Sequence, residues 1–229
     1  MCITDSNALA GYNVNSARTI RFGGEETPDG FLFELSGGSI PLDFANTLDE
    51  RPRGGRERLT DYRELIRWAE QVGLLTKQQA VHLLAAAFEN QDEAGRIHAE
   101  ALGLRELIFA TIKAASAELI LTDDYVQQWN AWLDRTRRDR WLSAGPQGLE
   151  WQVSNYDARL DCVVHAVAEA AMKLFLNPSD RPRLRLCAAD DCDWAFLDTT
   201  RRQNRVWCDM TVCGNRAKAA RHYRRKTRK

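Results

Sequence analysis

The sequence predicts an α+β protein that is mainly α. A helical N-terminal domain with a short β element precedes a small four-cysteine unit that ends in a basic helix. Three observations predict this. Apolar residues recur at steps of three and four from Leu59 to Leu176, which is the period of one helix face. Two short runs, Phe31 to Leu35 and Leu149 to Val153, read instead as strands. Four cysteines in two equally spaced pairs stand ahead of an end rich in Lys and Arg.

Taken in order, residues 1–29 are polar, rich in Gly and Asn and without period. They are expected to form a flexible end. Phe31 to Leu35 is a strand stopped by Gly37-Gly38, and a short helix opens at Pro41 and carries Leu42, Phe44, Ala45 and Leu48. "DERPRGGRER" is a loop by its Pro and Gly-Gly. Leu59, Tyr62, Ile66, Ala69 and Val72 line one face of a helix ending at Gly73. Thr76 with Gln79 is a capping box, opening a helix through Leu83, Leu84 and Phe88. Residues 93–120 form a third long helix through Ile97, Leu104, Ile108, Ile112 and Leu119. Thr122 followed by Asp123 and Asp124 starts a fourth, with Val126, Trp129 and Leu133 on its apolar face. "SAGPQG" (Ser143 to Gly148) breaks the pattern, and Leu149, Trp151 and Val153 alternate as a strand. A last core helix runs from about Tyr156 to Leu176, halted by Asn177-Pro178. "NPSDRPRLRL" reads as a linker, which divides the chain into a helical domain at 30–180 and a C-terminal unit at 181–229.

The formal charge of zero hides a segregation. Residues 181–229 carry 14 Lys and Arg against 5 Asp and Glu; residues 1–180 carry 18 against 27. A basic end on an acidic body is the pattern of a nucleic-acid contact segment. No run approaches the roughly 18 apolar residues of a membrane span, so no membrane partner is expected. The N-terminus lacks the basic start and apolar stretch of a secretion signal. The expected compartment is the cytoplasm, where thiols stay reduced, and six cysteines there point to metal or burial.

Cys187 and Cys192 are separated by four residues, and Cys208 and Cys213 repeat that spacing after a gap of fifteen. Four thiolates in two pairs suit a closed tetrahedral Zn²⁺ site. Independent burial of the four and iron–sulfur ligation fit the same composition. A metal with four protein ligands would be structural, because no position stays open for water or substrate. Some 49 residues are too few for an apolar core of their own, so metal binding would supply much of the folding energy here. Behind the cysteines, Thr211 to Lys226 is rich in Ala, Arg and Lys, all helix formers. Lys218, Arg221 and Arg225 fall on one stripe; Ala219, Ala220 and Tyr223 fall on another, for packing, with Arg216 beside it. The candidate nucleic-acid residues are Arg201, Arg202, Arg205, Arg216, Lys218, Arg221, Arg224 and Arg225. DNA is the expected partner, and RNA fits the charge equally.

These residues also carry a resemblance. C-x4-C followed by "WAFLD" (Trp194 to Asp198), then "RVWCDM" and "CGNR" (Cys213 to Arg216), resembles the CGNR zinc finger over roughly residues 183–227. "GGSIPLDFANTL" (Gly37 to Leu48) resembles the ABATE domain, which accompanies this finger in bacterial proteins classed as stress-induced transcription regulators. The resemblance implies a bacterial cytoplasmic regulator with a zinc-dependent DNA-binding end, and Cys187, Cys192, Cys208 and Cys213 as the ligands. It implies no catalytic residue.

Asp43, Asn46, Thr47 and Arg51 lie in or just after an apolar stretch. They are candidate lining for a small-molecule sensing pocket, with local capping by Asp and Asn as the plainer reading. Catalysis is not expected, since no nucleophile–base pair or open metal site is legible. The rival functions are an RNA or ribosome contact, an enzyme with its site near Asp43, Asn46 and Arg51, and a protein-docking finger. The effector, the target sequence and the oligomeric state are not legible.

Overall fold

The computed structural model describes residues 23–28, 30–138, 140–146, 148–153 and 159–226; at 140, 151–153, 224 and 225 it describes the backbone alone. The readings of residues 1–22, of the Trp151 side chain and of a helix start at Tyr156 lie outside the described residues.

The segment expected to be a flexible end contributes a strand. β1 (Gly24–Thr27) pairs antiparallel with β2 (Gly30–Phe33), with Gly24 opposite Phe33. Phe31 and Phe33 are both buried and meet edge to face at 5.0 Å. Beyond this packing, Gln71 of the following helix ties the hairpin to the helices. Gln71 donates to the Phe31 carbonyl and accepts from the Phe33 amide, both at 2.9 Å.

The short helix α1 (Ile40–Ala45) has Pro in its first turn, and all six of its residues are buried. Phe44 packs on Trp68 at 4.9 Å. Leu48, expected on the short helix, instead begins β3 (Leu48–Asp49), and the loop "DERPRGGRER" continues through a 3-10 turn (Arg51–Arg53) into β4 (Arg56–Glu57).

Four helices follow. α2 (Tyr62–Gln71) is capped by Asp61, which accepts from the Glu64 amide at 3.0 Å; Leu59 lies ahead of the helix and is fully buried all the same. α3 (Lys77–Glu89) has both halves of the Thr76/Gln79 capping box, and its buried face is Ala80, Leu83 and Ala87, while Phe88 is exposed. α4 (Gln91–Ser116) is the central helix; Leu119 falls past its end. α5 (Asp123–Arg138) buries Trp132 and Thr136 rather than Val126. Arg105 of α4 is 3% exposed, and a bidentate pair to Glu57 at 2.6 and 2.7 Å satisfies its charge, as a buried cation requires.

The stretch read as a break carries a strand. β5 (Arg140–Gly145) pairs with β6 (Gly148–Val153). α6 (Cys162–Leu176) has Leu160 in the turn ahead of it and buries Val163, Val164, Val167, Ala168 and Ala171 against α4, α5 and α1. The segment read as a linker turns at Arg181–Arg183 and becomes β7 (Leu184–Leu186), which pairs with β8 (Ala195–Leu197) and packs on α4. Leu184 is fully buried in the same core as the helices. The charge changes sign here while the chain stays packed. After a π-helical turn (Met210–Gly214) the chain ends in α7 (Asn215–Lys226).

Candidate metal centre and basic helix

Each thiol is set by a different local device. Cys187 follows β7, and its amide donates to the Trp194 carbonyl at 2.8 Å, extending the β7–β8 pairing by one step. Cys192 closes a turn by donating to the Ala189 carbonyl at 3.1 Å, and Asp193 beside it turns the chain with φ of 58°. Cys208 comes back alongside because the Ala188 amide bonds the Val206 carbonyl at 3.0 Å. Cys213 sits in the π-helical turn, whose free amides at Thr211 and Val212 are capped by the Asp209 carboxylate.

The four Sγ atoms lie within 4.8 Å of one another, and all four residues are buried. Cys192 to Cys208 and Cys208 to Cys213 are both 3.6 Å, sulfur to sulfur. Zn–S bonds of about 2.3 Å in a tetrahedron imply edges of about 3.8 Å, so the spacing suits one tetrahedral ion. The donor set agrees, because without a cation the protons divide unevenly. The Cys187 thiol, hydrogen-bonded by Cys192, is driven down, and Cys208, hydrogen-bonded by Cys187, is driven up. A divalent ion supplies the charge that lets all four ionise. The cluster can hold a metal ion.

The surroundings use several predicted contact residues. The Arg216 guanidinium reaches Cys213 Sγ at 3.3 Å and Asp191 at 2.8 Å. Asp191 also pairs with Arg53 at 2.6 Å. Arg216 therefore braces the thiol cluster instead of standing free. Arg205 is likewise engaged, donating to the Trp207 carbonyl at 2.9 Å and to the Cys208 carbonyl, with its guanidinium over Phe196 at 4.5 Å. Fully buried Asp198 organises the loop between the cysteine pairs, accepting from Thr200 at 2.9 and 2.6 Å and from the Arg205 amide at 2.8 Å. Arg201, Arg202, Lys218 and Arg221 are exposed, and among the described residues none has an ion-pair partner. The side chains of Arg224 and Arg225 lie outside the described residues. The packing stripe expected on α7 is not one. Tyr223 is 69% exposed and Ala219 is exposed; the helix packs on the turn that precedes it.

Asp43, Asn46, Thr47 and Arg51 each have partners within the protein. Asp43 accepts from the Gly37 amide at 2.8 Å. Asn46 makes a two-way pair with Ala195 of β8, donating to its carbonyl at 2.9 Å and accepting from its amide at 2.8 Å. Thr47 donates to the Phe44 carbonyl at 2.7 Å. Arg51 pairs with Glu106 at 2.6 Å and lies over Phe109 at 3.9 Å. Asp49, which the sequence reading passed over, accepts from Trp194 Nε1 at 2.8 Å. The stretch thus docks the cysteine-rich unit onto the helices. Its mixture of apolar and amide residues is the signal of a buried seam.

Comparison with protein families gives two matches. The CGNR zinc finger model matches residues 183–226. The ABATE model, described as "Putative stress-induced transcription regulator", matches residues 38–178. The chain belongs to the ABATE family. Its C-terminal unit is a finger of the CGNR type, and the namesake tetrapeptide has a physical reading: Cys213 is a thiol of the cluster, Asn215 donates to the Thr211 carbonyl at 3.1 Å to close the turn, and Arg216 clamps sulfur and carboxylate. Comparison with curated proteins gave no match. No helix among the described residues is long and apolar enough to cross a membrane.

Proposed function

We propose that the chain is a DNA-binding transcription regulator whose finger holds one structural Zn²⁺ at Cys187, Cys192, Cys208 and Cys213. One observation carries this reading. Exposed cations with no ion-pair partner among the described residues (Arg201, Arg202, Lys218, Arg221) stand on a loop and a helix that both adjoin the cysteine cluster. Such cations neutralise phosphates and release counterions. With Arg205 and Arg216 engaged elsewhere, about six contacts including Arg224 and Arg225 give a log–log salt slope of about −5.4. The contacts position the protein and do not by themselves select sequence. The reading assigns binding rather than catalysis, in the cytoplasm, where the thiols stay free for metal. The helical domain is the sensing part of the regulator.

The test is a titration of the full chain against duplex DNA and structured RNA at several salt concentrations, with and without a zinc chelator. Tighter DNA binding that steepens with falling salt and disappears with chelation supports the proposal. Affinity that survives chelation removes the metal-dependent scaffold, and equal affinity for both polymers removes DNA as the partner.

A further inference from the structure

Where α4 and α6 end and α5 begins, the bundle opens into a cavity of about 510 Å³, within the range of small-molecule sites. Its floor is apolar, built from Trp129, Leu133, Met172 and Phe175. Trp129 and Phe175 meet edge to face at 5.5 Å. The rim is apolar as well. Leu119 is 63% exposed, Ile120 95%, Val126 44% and Leu176 81%. Large aliphatic side chains scattered over a surface need no explanation, but four around one concavity mark a binding site. Thr111 at the bottom is already satisfied, accepting from Trp129 Nε1 at 2.9 Å and donating to the Leu107 carbonyl at 2.8 Å. One cation stands at the edge. Arg181 lines the cavity, is exposed, and has no ion-pair partner among the described residues.

An apolar hollow with a single free guanidinium at its mouth has a definite complement. We infer that this cavity binds an amphipathic organic anion, with its hydrocarbon body against Trp129 and Phe175 and its carboxylate at Arg181. The guanidinium fork suits a carboxylate bidentately. The placement also gives the occupant a consequence, which rests on the sensing role proposed above. Arg181 opens the 3-10 turn that runs directly into β7, and β7 leads to Cys187. An anion held there pulls on the root of the finger.

The experiment uses the full, zinc-loaded chain with decanoate and decanol as probes, read by calorimetry and Trp fluorescence. Decanoate is expected to bind about tenfold tighter than decanol, the size of one charge-assisted hydrogen bond. Arg181→Gln, at an exposed position, should remove that preference and leave decanol binding unchanged. Asn130→Trp, on the exposed wall of α5, should block both probes with far-UV circular dichroism unaltered. Absence of binding, equal affinity of the two probes, or a preference that survives Arg181→Gln overturns the inference. So does a chain that is dimeric through this face, loses dimerisation on Ile120→Asp and ignores decanoate. DNA affinity measured in the same samples separates the two readings. Decanoate that binds as described and leaves DNA affinity unchanged keeps the cavity and removes the sensing role. A cavity that fails to bind leaves the DNA titration without ligand untouched.

Discussion

Arg216 braces the cysteine cluster from outside, one nitrogen serving both Cys213 Sγ and Asp191. Groups that orient metal ligands typically carry 10- to 100-fold in metal affinity. Arg216→Ala is therefore expected to weaken zinc binding by about 10- to 100-fold in competition with a chromophoric chelator, with the salt slope of DNA binding unchanged once zinc is saturating. Lys218→Ala and Arg221→Ala should do the opposite, each flattening the slope by about 0.9 with zinc affinity intact. If Arg216→Ala flattens the slope at saturating zinc, Arg216 touches phosphate after all. Asp43 makes a different prediction. Burial, only partly offset by the Gly37 and Ser36 amides, pushes its carboxyl up to about 8, and one of its oxygens has no partner. An unfolded aspartate ionises near 4. Between those values the native state keeps a proton that the unfolded chain has released. The contribution of Asp43 to stability is thus full below pH 4, declines as pH rises and is lost by pH 8. Asp43→Asn cannot titrate. The variant should gain on the native chain by roughly 1.4 kcal/mol per pH unit across that window, measured by denaturant melts at matched pH. A difference independent of pH sinks the protonated Asp43.

α7 is an element with little to stand on. It has 12 residues, its mean burial is low, and its packing is on the preceding turn that contains Cys213. Isolated helices of about 12 to 15 residues are marginal in water. Zinc removal should therefore melt α7 together with 187–214, lowering far-UV ellipticity by about one short helix while α2 to α6 persist, as those helices share a core. An unchanged spectrum after chelation means that the helix does not depend on the metal. The helices of that core were legible because their apolar period is long and their caps are chemical. Thr76, read as a cap from the sequence, accepts the Gln79 amide; Asp61 and Asn90, which the sequence reading did not single out, cap α2 and α4 in the same way. Other elements were not legible, for physical reasons. β1 reads "GEET", with no apolar alternation, because its partner β2 supplies the two buried phenylalanines. β5 hides in a stretch rich in small and turn-forming residues, since a hairpin with little packing needs no apolar face. On α5 the buried side is chosen by where Trp132 meets α6, which local period cannot reveal. The four thiols were legible by type and spacing alone. The engagement of Arg205 and Arg216 was not, because it depends on which way the intervening loop folds around Asp198.

At the scale of the whole molecule, the finger and the helical domain share their hydrogen bonds. Asn46 pairs with both backbone groups of Ala195, the Leu197 amide bonds the Gly37 carbonyl at 2.8 Å, and Trp194 donates to Asp49. Arg53 and Asp191 add a charged pair across the same seam. A strand so short as β8, three residues long, keeps its place only while β7 and the cysteine cluster frame it. Loss of metal then withdraws the partner of Asn46 and exposes the seam from the helical side. Amide exchange in 37–49 should accelerate on chelation by about tenfold or more, corresponding to about 1.4 kcal/mol of lost protection, while α3, remote from the seam, keeps its protection. Asn46→Ala should reproduce the effect with zinc bound. It strands two buried backbone groups, at about 2 to 4 kcal/mol for the pair, and it leaves the four thiols in place. Fast exchange confined to 183–214, with 37–49 as slow as before, would mean that the two parts respond independently and that no signal can pass from helix to finger by this route.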